Sequence, residues 1–192
     1  MAGSDLSSAC PGTVQSVLSD YAGRDAIEVR DVERVRQLVR AGDDLWSRST
    51  ALHVTASALV VHPPSRRVLL RWHERQRAWL QVGGHGDPGE TDPMAVALRE
   101  GFEETGLEDL TPWPRPALVH VAVVSVPASV TEPAHDHADL RFVLSTSEPD
   151  RARPETPSAE LRWLTIPEAH DLTAEANLRE TLSRVEQIFA TE

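Results

Sequence analysis

The sequence predicts an α/β fold: a mixed sheet flanked by helices, with a helical extension at its N-terminal end. Three observations carry this reading. Alternating, β-branched segments and segments of helical period follow one another from residue 51 onward in a mixed order. A length of 192 residues, 40% of them apolar, suits one ordinary domain with a real core plus an extra segment. The single cysteine, Cys10, excludes an internal disulfide framework and any cysteine-based metal cluster, so packing must hold the fold.

Taken in order, residues 1–12 read as a disordered start. Residues 13–48 read as a helical appendage, a cap or a homodimer contact, with a short helix over Thr13–Tyr21 and a clearer one from Asp31 to about Trp46. In the second, Asp31 is the expected N-cap, Val32, Val35, Leu38 and Val39 share a face, and Gly42 with Asp43 weakens or ends it. The main domain is placed at 49–192. Leu52–Val61 and Arg67–Trp72 make a hairpin around Pro63-Pro64-Ser65, and Trp79–Val82 is a short strand running into glycines. Pro93–Thr105 is helical, with Asp92 as N-cap and proline at the first helical position. Ala117–Val126, Asp139–Ser145 and Glu160–Thr165 are strands, and Trp163 is a core residue of the last. A short helix starts at Thr165, and residues 173–190 form the final helix, with Leu178, Leu182, Val185 and Phe189 on one stripe.

Composition narrows the chemistry. All 19 basic side chains are arginine. Without lysine, Schiff-base and pyridoxal-phosphate chemistry, Walker-type phosphate loops, kinases and Ser-Lys hydrolases are excluded. Any cation offered to a phosphate must be a guanidinium or a bound metal. A net charge of -11 argues against a nucleic-acid polymer as partner. No apolar run approaches a membrane span, and Ser7-Ser8-Ala9-Cys10 lacks the basic and apolar regions of a signal, so the chain is read as cytoplasmic.

The informative stretch is Gly83-Gly84-His85-Gly86-Asp87-Pro88-Gly89-Glu90, followed after eight residues by Arg99-Glu100-Gly101-Phe102-Glu103-Glu104-Thr105-Gly106-Leu107. Glu100, Glu103 and Glu104 stand at i, i+3 and i+4, so three carboxylates project from one helix face and repel one another. A hard divalent cation offsets that cost. Arg99, next to Glu100 and four before Glu103, is placed to orient a ligand carboxylate. A solvated acidic helix face would explain a lone Glu-Glu pair; it does not explain the glycines, the spacing, the arginine and the terminal Gly-Leu together.

These residues resemble the Nudix box, and the likeness covers roughly residues 50–170. Gly84 and Glu90 match its loop positions, and Arg99, Glu100, Glu103, Glu104, Gly106 and Leu107 match its helix. The resemblance implies an α/β/α sandwich that hydrolyses nucleoside diphosphates linked to another moiety, or nucleoside triphosphates. It implies Mg2+ or Mn2+ held by Glu100, Glu103, Glu104 and the Gly83 carbonyl, with water attacking phosphorus. Two positions depart from the pattern. The Glu90–Arg99 spacer is one residue longer than usual, and Gly101 fills a normally apolar position beside Phe102, which is expected to supply part of the missing bulk.

The general base is one of the box glutamates or one of Glu132, Asp136, Glu155 and Glu160. Arg71, Arg75 and Arg77 are the candidate phosphate ligands, Trp79 and Trp72 candidates to stack on a base, and His85 a candidate neighbour of substrate. His135 and His137, at i and i+2 of a strand entry, share a face and form a conceivable zinc pair. The substrate stays open. A coenzyme-A signature is absent, Pro127 matches an ADP-ribose pattern poorly, and the tyrosine marking many diadenosine-polyphosphate hydrolases is missing, since Tyr21 is the only one. Two other functions compete: an isomerase needing a catalytic cysteine, disfavoured by the position of Cys10, and a non-catalytic nucleotide sensor acting through a protein partner.

Overall fold

The structure, a computed structural model, describes residues 12–42, 44–130 and 132–192. The expected disorder of residues 1–12 and the placements of Cys10 and Asp43 therefore lie, Gly12 aside, outside the described residues. Among the described residues the α-helices and strands are, in chain order, α1 (Val14–Leu18), α2 (Ala26–Ala41), β1 (Leu52–His62), β2 (Arg67–His73), β3 (Ala78–Leu80), β4 (Val82–His85), α3 (Pro93–Thr105), β5 (Thr111–Pro112), β6 (His120–Val126), β7 (His135–Ser145), β8 (Leu161–Thr165), α4 (Ile166–Leu172) and α5 (Ala176–Thr191).

The sheet is mixed, as expected. β1 runs parallel to β7 over ten residue pairs, from Leu52 opposite Asp136 to Val61 opposite Ser145, while every other pairing is antiparallel. β1 is the central strand and nine of its eleven residues are buried, which explains its continuous run of small and β-branched residues. Its two faces enter different cores. Val54, Ala56, Ala58 and Val60 pack with Val14, Val32, Val35, Val96 and Ala97 of α1, α2 and α3. Leu59 and Val61 pack with Ala169, Leu178, Leu182 and Val185 of α4 and α5. Helices on both faces make an α/β/α sandwich. Among the described residues no helix is long and apolar enough to cross a membrane.

The N-terminal helices share this core. Asp25, rather than Asp31, caps α2, because its carboxylate accepts from the Ile27 and Glu28 N–H groups. Asp31 is instead an interior, buried residue that accepts from Val123 N–H at 3.0 Å and ties α2 to β6. Glu28 and Arg184 go deeper. Glu28 is 1% exposed and accepts from both Arg184 nitrogens (2.7 and 2.9 Å), from Arg24 and Val121 N–H, and from the Tyr21 hydroxyl. α2 ends at Gly42, so Trp46 lies beyond it and packs over Gly86.

Two strand limits move. The expected strand at Ala117 begins regular pairing at His120, and the one expected at Asp139 begins four residues earlier, at His135. The polar run His135-Asp136-His137 is thus strand, because parallel pairing with β1 satisfies its backbone whatever its side chains. Trp79–Val82 divides into β3 and β4 at Gln81, since β3 pairs with β2 and β4 with β1.

Candidate active site

The box helix α3 starts where its sequence says. Asp92 accepts from Met94 N–H, Pro93 has no N–H in need of an acceptor, and Val96, Ala97 and Gly101 turn inward. That leaves the glutamates on the face toward β4. Gly83 and Gly84 let this contact be close. Gly83 has φ 149°, a region side chains rarely adopt, and a Cβ there would lie 2.3 Å from the Ser57 Cβ. A Cβ on Gly84 would lie 2.7 Å from the Glu100 carboxylate.

Arg99 organises the cluster. Its guanidinium binds Glu90 twice (3.1 and 3.0 Å), Glu100 at 2.9 Å, Glu103 at 3.0 Å and the His85 carbonyl at 2.8 Å. Glu90 also accepts from Asp87 N–H, and its pairing with Arg99 holds its carboxyl below the usual range. The longer spacer therefore leaves Glu90 in reach of Arg99. Burial pushes the Glu100 carboxyl up despite Arg99. Glu103 is about half exposed. Glu104 is the deep member, with 12% of its side chain exposed; it accepts from Gly83 N–H at 3.0 Å and pairs with Arg71 at 3.1 Å. Burial pushes its carboxyl up to about 7, Arg71 and Gly83 pull it down, and Glu100 and Glu155 push it further up. Glu100, Glu103 and Glu104 supply oxygen donors of the chemistry that a hard divalent cation such as Mg2+ or Mn2+ takes, with Glu100 and Glu104 laid against Gly84 and Gly83.

Gly101 is compensated differently from expectation. Phe102 is 49% exposed and supplies no core bulk, whereas Leu110 and Leu144 fill the space beside Gly101, with Leu110 Cδ1 2.9 Å from where a Cβ would stand.

Beside Glu104 opens a cleft of about 200 Å³. Its lining includes Thr55, Ser57, Arg71, Gln81, Asp139 and Arg141. Of the candidate phosphate ligands only Arg71 lines it. Arg71 Nε and Gln81 Oε1 are buried without a hydrogen-bond partner among the described residues. Arg75 is an exposed residue paired with Glu132 at 2.9 Å, and Arg77 sits at φ 51° in the turn between β2 and β3, outside the cleft. Trp79 is 8% exposed, packed on Trp72 and under the Arg162 guanidinium, so the core takes it and not a base.

The distant base candidates separate in the same way. Glu155 pairs at 3.3 Å with Arg71, which lines the cleft, and is itself exposed. Asp136 is occupied by Arg34 at 2.8 Å and Ser125 at 2.7 Å, Glu160 by Arg162 at 2.8 Å, and Glu132 by Arg75, all away from α3. His85 and His137 line the cleft wall, where burial holds their imidazoles down, to about 3 and about 4. Sequence reasoning missed Asp139 and Arg141. Asp139 accepts from Thr55, Ser57, Gln81 and Arg141, and Arg141 continues to Thr181 and Asn177. Alternating parity along β7 was the only available signal, since it puts both on the face of His137.

An α/β/α sandwich with an acid-rich helix laid against a Gly-Gly strand end defines the class: a hydrolase acting on phosphoric anhydride bonds, of pyrophosphohydrolase type. The NUDIX domain model matches residues 51–185, and the chain belongs to the Nudix family. Solved structures with the same fold include a C. elegans Ap4A hydrolase binary complex (19% identity, TM-score 0.57, covering 72% of this chain and 98% of that one). They also include the E. coli dihydroneopterin triphosphate pyrophosphohydrolase (19%, 0.54, 72% and 96%) and the Nudix hydrolase RenU of M. smegmatis (28%, 0.52, 72% and 86%). No curated protein matches the sequence.

Proposed function

We propose that this chain is a Mg2+- or Mn2+-dependent pyrophosphohydrolase that cleaves a nucleoside diphosphate linked to another moiety, or a nucleoside triphosphate. The observation that carries this is the cluster on α3: Glu100 and Glu103 held by Arg99, and Glu104 held by Gly83 N–H and Arg71 in the wall of the cleft. The C. elegans and E. coli enzymes of the same fold are named for substrates of that general kind, Ap4A and dihydroneopterin triphosphate, which supports the reading at the level of class.

Glu100, Glu103, Glu104 and the Gly83 carbonyl would hold the ion. When bound, it supplies charge neutralisation at the diphosphate and an activated water. Arg99 keeps Glu90, Glu100 and Glu103 in one orientation, so little reorganisation is needed when a ligand arrives. Arg71, which lines the cleft and is held by Glu104 and Glu155, is the guanidinium placed to meet a substrate phosphate. Glu104, the box glutamate that lines the cleft, is the first candidate to take the proton of the attacking water at a carboxylate oxygen; Glu155, paired with Arg71, is the second.

The test is a Mg2+ assay of the wild-type chain over NDP-linked compounds and nucleoside triphosphates, beside Glu103→Gln and Glu104→Gln. Turnover of one class, reduced at least about 100-fold in each variant, is expected. No turnover of any substrate, or turnover unchanged by both substitutions, overturns the reading.

A further inference from the structure

Four imidazoles meet where β1, β4 and β7 run side by side. His53 stands near the start of β1, His85 ends β4, and His135 and His137 begin β7. The strand register brings them together. His53 lies directly opposite His137 in the parallel pair, and Thr55, two residues on, lies opposite His85. Residues of one parity on β1 and β7 share a face, so these rings lie on the same face as Thr55, Ser57, Asp139 and Arg141.

The distances are those of a ligand set. Ring centroids of His53, His85 and His137 are 4.8 to 5.1 Å apart, and one nitrogen from each falls within 4.8 Å of the others. His85 Nε2 is 3.1 Å from His53 Nε2, and His135 Nε2 is 3.1 Å from His137 Nε2. Two nitrogens on one tetrahedral zinc, at bonds of about 2.0–2.1 Å, stand about 3.3 Å apart.

Backbone carbonyls also set the tautomers. His53 Nδ1 is 3.1 Å from the Thr50 carbonyl, and His135 Nδ1 is 2.9 Å from the Pro133 carbonyl. A carbonyl only accepts, so both Nδ1 atoms carry their proton and both Nε2 atoms present a lone pair into the cluster. Each lone pair now meets a ring that must donate its own Nε2–H. A cation can take the place of those shared protons if His85 and His137 switch to the Nδ1–H tautomer. The surrounding charge is mixed: Glu132 and Arg48 both line the recess on the outer side of His53, one favouring a cation and the other opposing it.

We infer that His53, His85 and His137 form a transition-metal site, of the zinc and cobalt class, in the wall of the cleft and separate from the glutamate site on α3. Imidazole nitrogens select these borderline ions over Mg2+, which goes to oxygen. Three protein ligands leave one position for water, a substrate oxygen or His135. The two sites are mechanically joined, because the His85 carbonyl accepts from Arg99, the residue that gathers the glutamates.

Metal-depleted wild-type protein titrated with Co2+ is expected to develop the visible absorption of a low-coordinate cobalt–imidazole site at one equivalent, displaced by Zn2+. His53→Gln and His137→Gln should each weaken binding at least about 10-fold, with circular dichroism checking that each variant folds. Glu100→Gln and Glu103→Gln should leave the band in place. Absence of the band in the wild type, its survival in both folded histidine variants, or its loss in the glutamate variants instead would overturn the site. If neither histidine variant folds, X-ray absorption of the zinc-loaded wild type decides. At least three imidazoles around the metal support the site, and a shell dominated by carboxylate oxygen refutes it.

Discussion

Two carboxylate–guanidinium clusters in this molecule use the same chemical groups to opposite ends. In the first, Glu28 of α2 meets Arg184 of α5 in the interior, both 1% exposed. Burial would push the Glu28 carboxyl up, yet hydrogen bonds from Arg184, Tyr21, Arg24 and Val121 hold it well below the usual range. Every lone pair is occupied, and the cluster fixes the N-terminal helices to the sheet. In the second, Glu104 is nearly as deep but has one guanidinium and one N–H, and its carboxyl rises to about 7. Saturation decides the difference. A buried carboxylate with all its donors is a structural charge, whereas one with too few is held towards its protonated form.

The largest expected effect tests the saturated cluster. Arg184→Met leaves Glu28 buried without its guanidinium and should cost about 3–5 kcal/mol, read from the midpoint of urea unfolding. A loss under about 1 kcal/mol would mean the pair is not what fixes α2. Next comes the unsaturated cluster. Arg99→Gln frees Glu90, Glu100 and Glu103 to repel one another and should lower activity about 10–100-fold. Its thermal destabilisation should shrink when Mg2+ is added; a deficit insensitive to Mg2+ would separate Arg99 from the cation site.

A smaller effect reads the same contrast through pH. Glu104 has a folded-state value of about 7, above its ordinary 4.5, so ionising it costs the fold. Metal-free wild type should lose stability as pH rises from about 4.5 through 7. Glu104→Gln escapes that loss, and it should be more stable than wild type at pH 8 by on the order of 1–2 kcal/mol and no more stable at pH 4. Equal melting curves at pH 8 would show that Glu104 is better satisfied than its two partners suggest. The smallest effect is expected at Gly101→Ala. A gain of about 1 kcal/mol in helix propensity is set against pushing Leu110 Cδ1 aside, and the net shift should stay within about 1 kcal/mol.

The legibility of the site follows the range of the interactions. Glu100, Glu103 and Glu104 could be read from the sequence, because i, i+3 and i+4 on a helix is a local relation and Arg99 is one turn away. The candidates that failed to gather, Arg75, Arg77, Asp136 and Glu160, were chosen by nearness in sequence or by type, and each is claimed by a partner or a turn elsewhere. Trp79 went to the core because its strand pairs with β2 over the apolar layer. Asp31 was taken for a helix cap because nothing local shows that Val123, ninety-two residues later, offers it an N–H.

By itself, then, the sequence determined the α/β class, the box helix with its cap and glycine stop, and the placing of three carboxylates on one helix face. Those are properties of short periods and single turns, fixed by backbone geometry over a few residues. The tertiary structure alone decided which arginine enters the cleft, that Asp139 and Arg141 face it, and that His53, His85 and His137 converge. Each of these depends on register between strands far apart in the chain. The parallel β1–β7 pair sets residues eighty-four apart side by side, a distance over which residue order carries no signal until the sheet has formed.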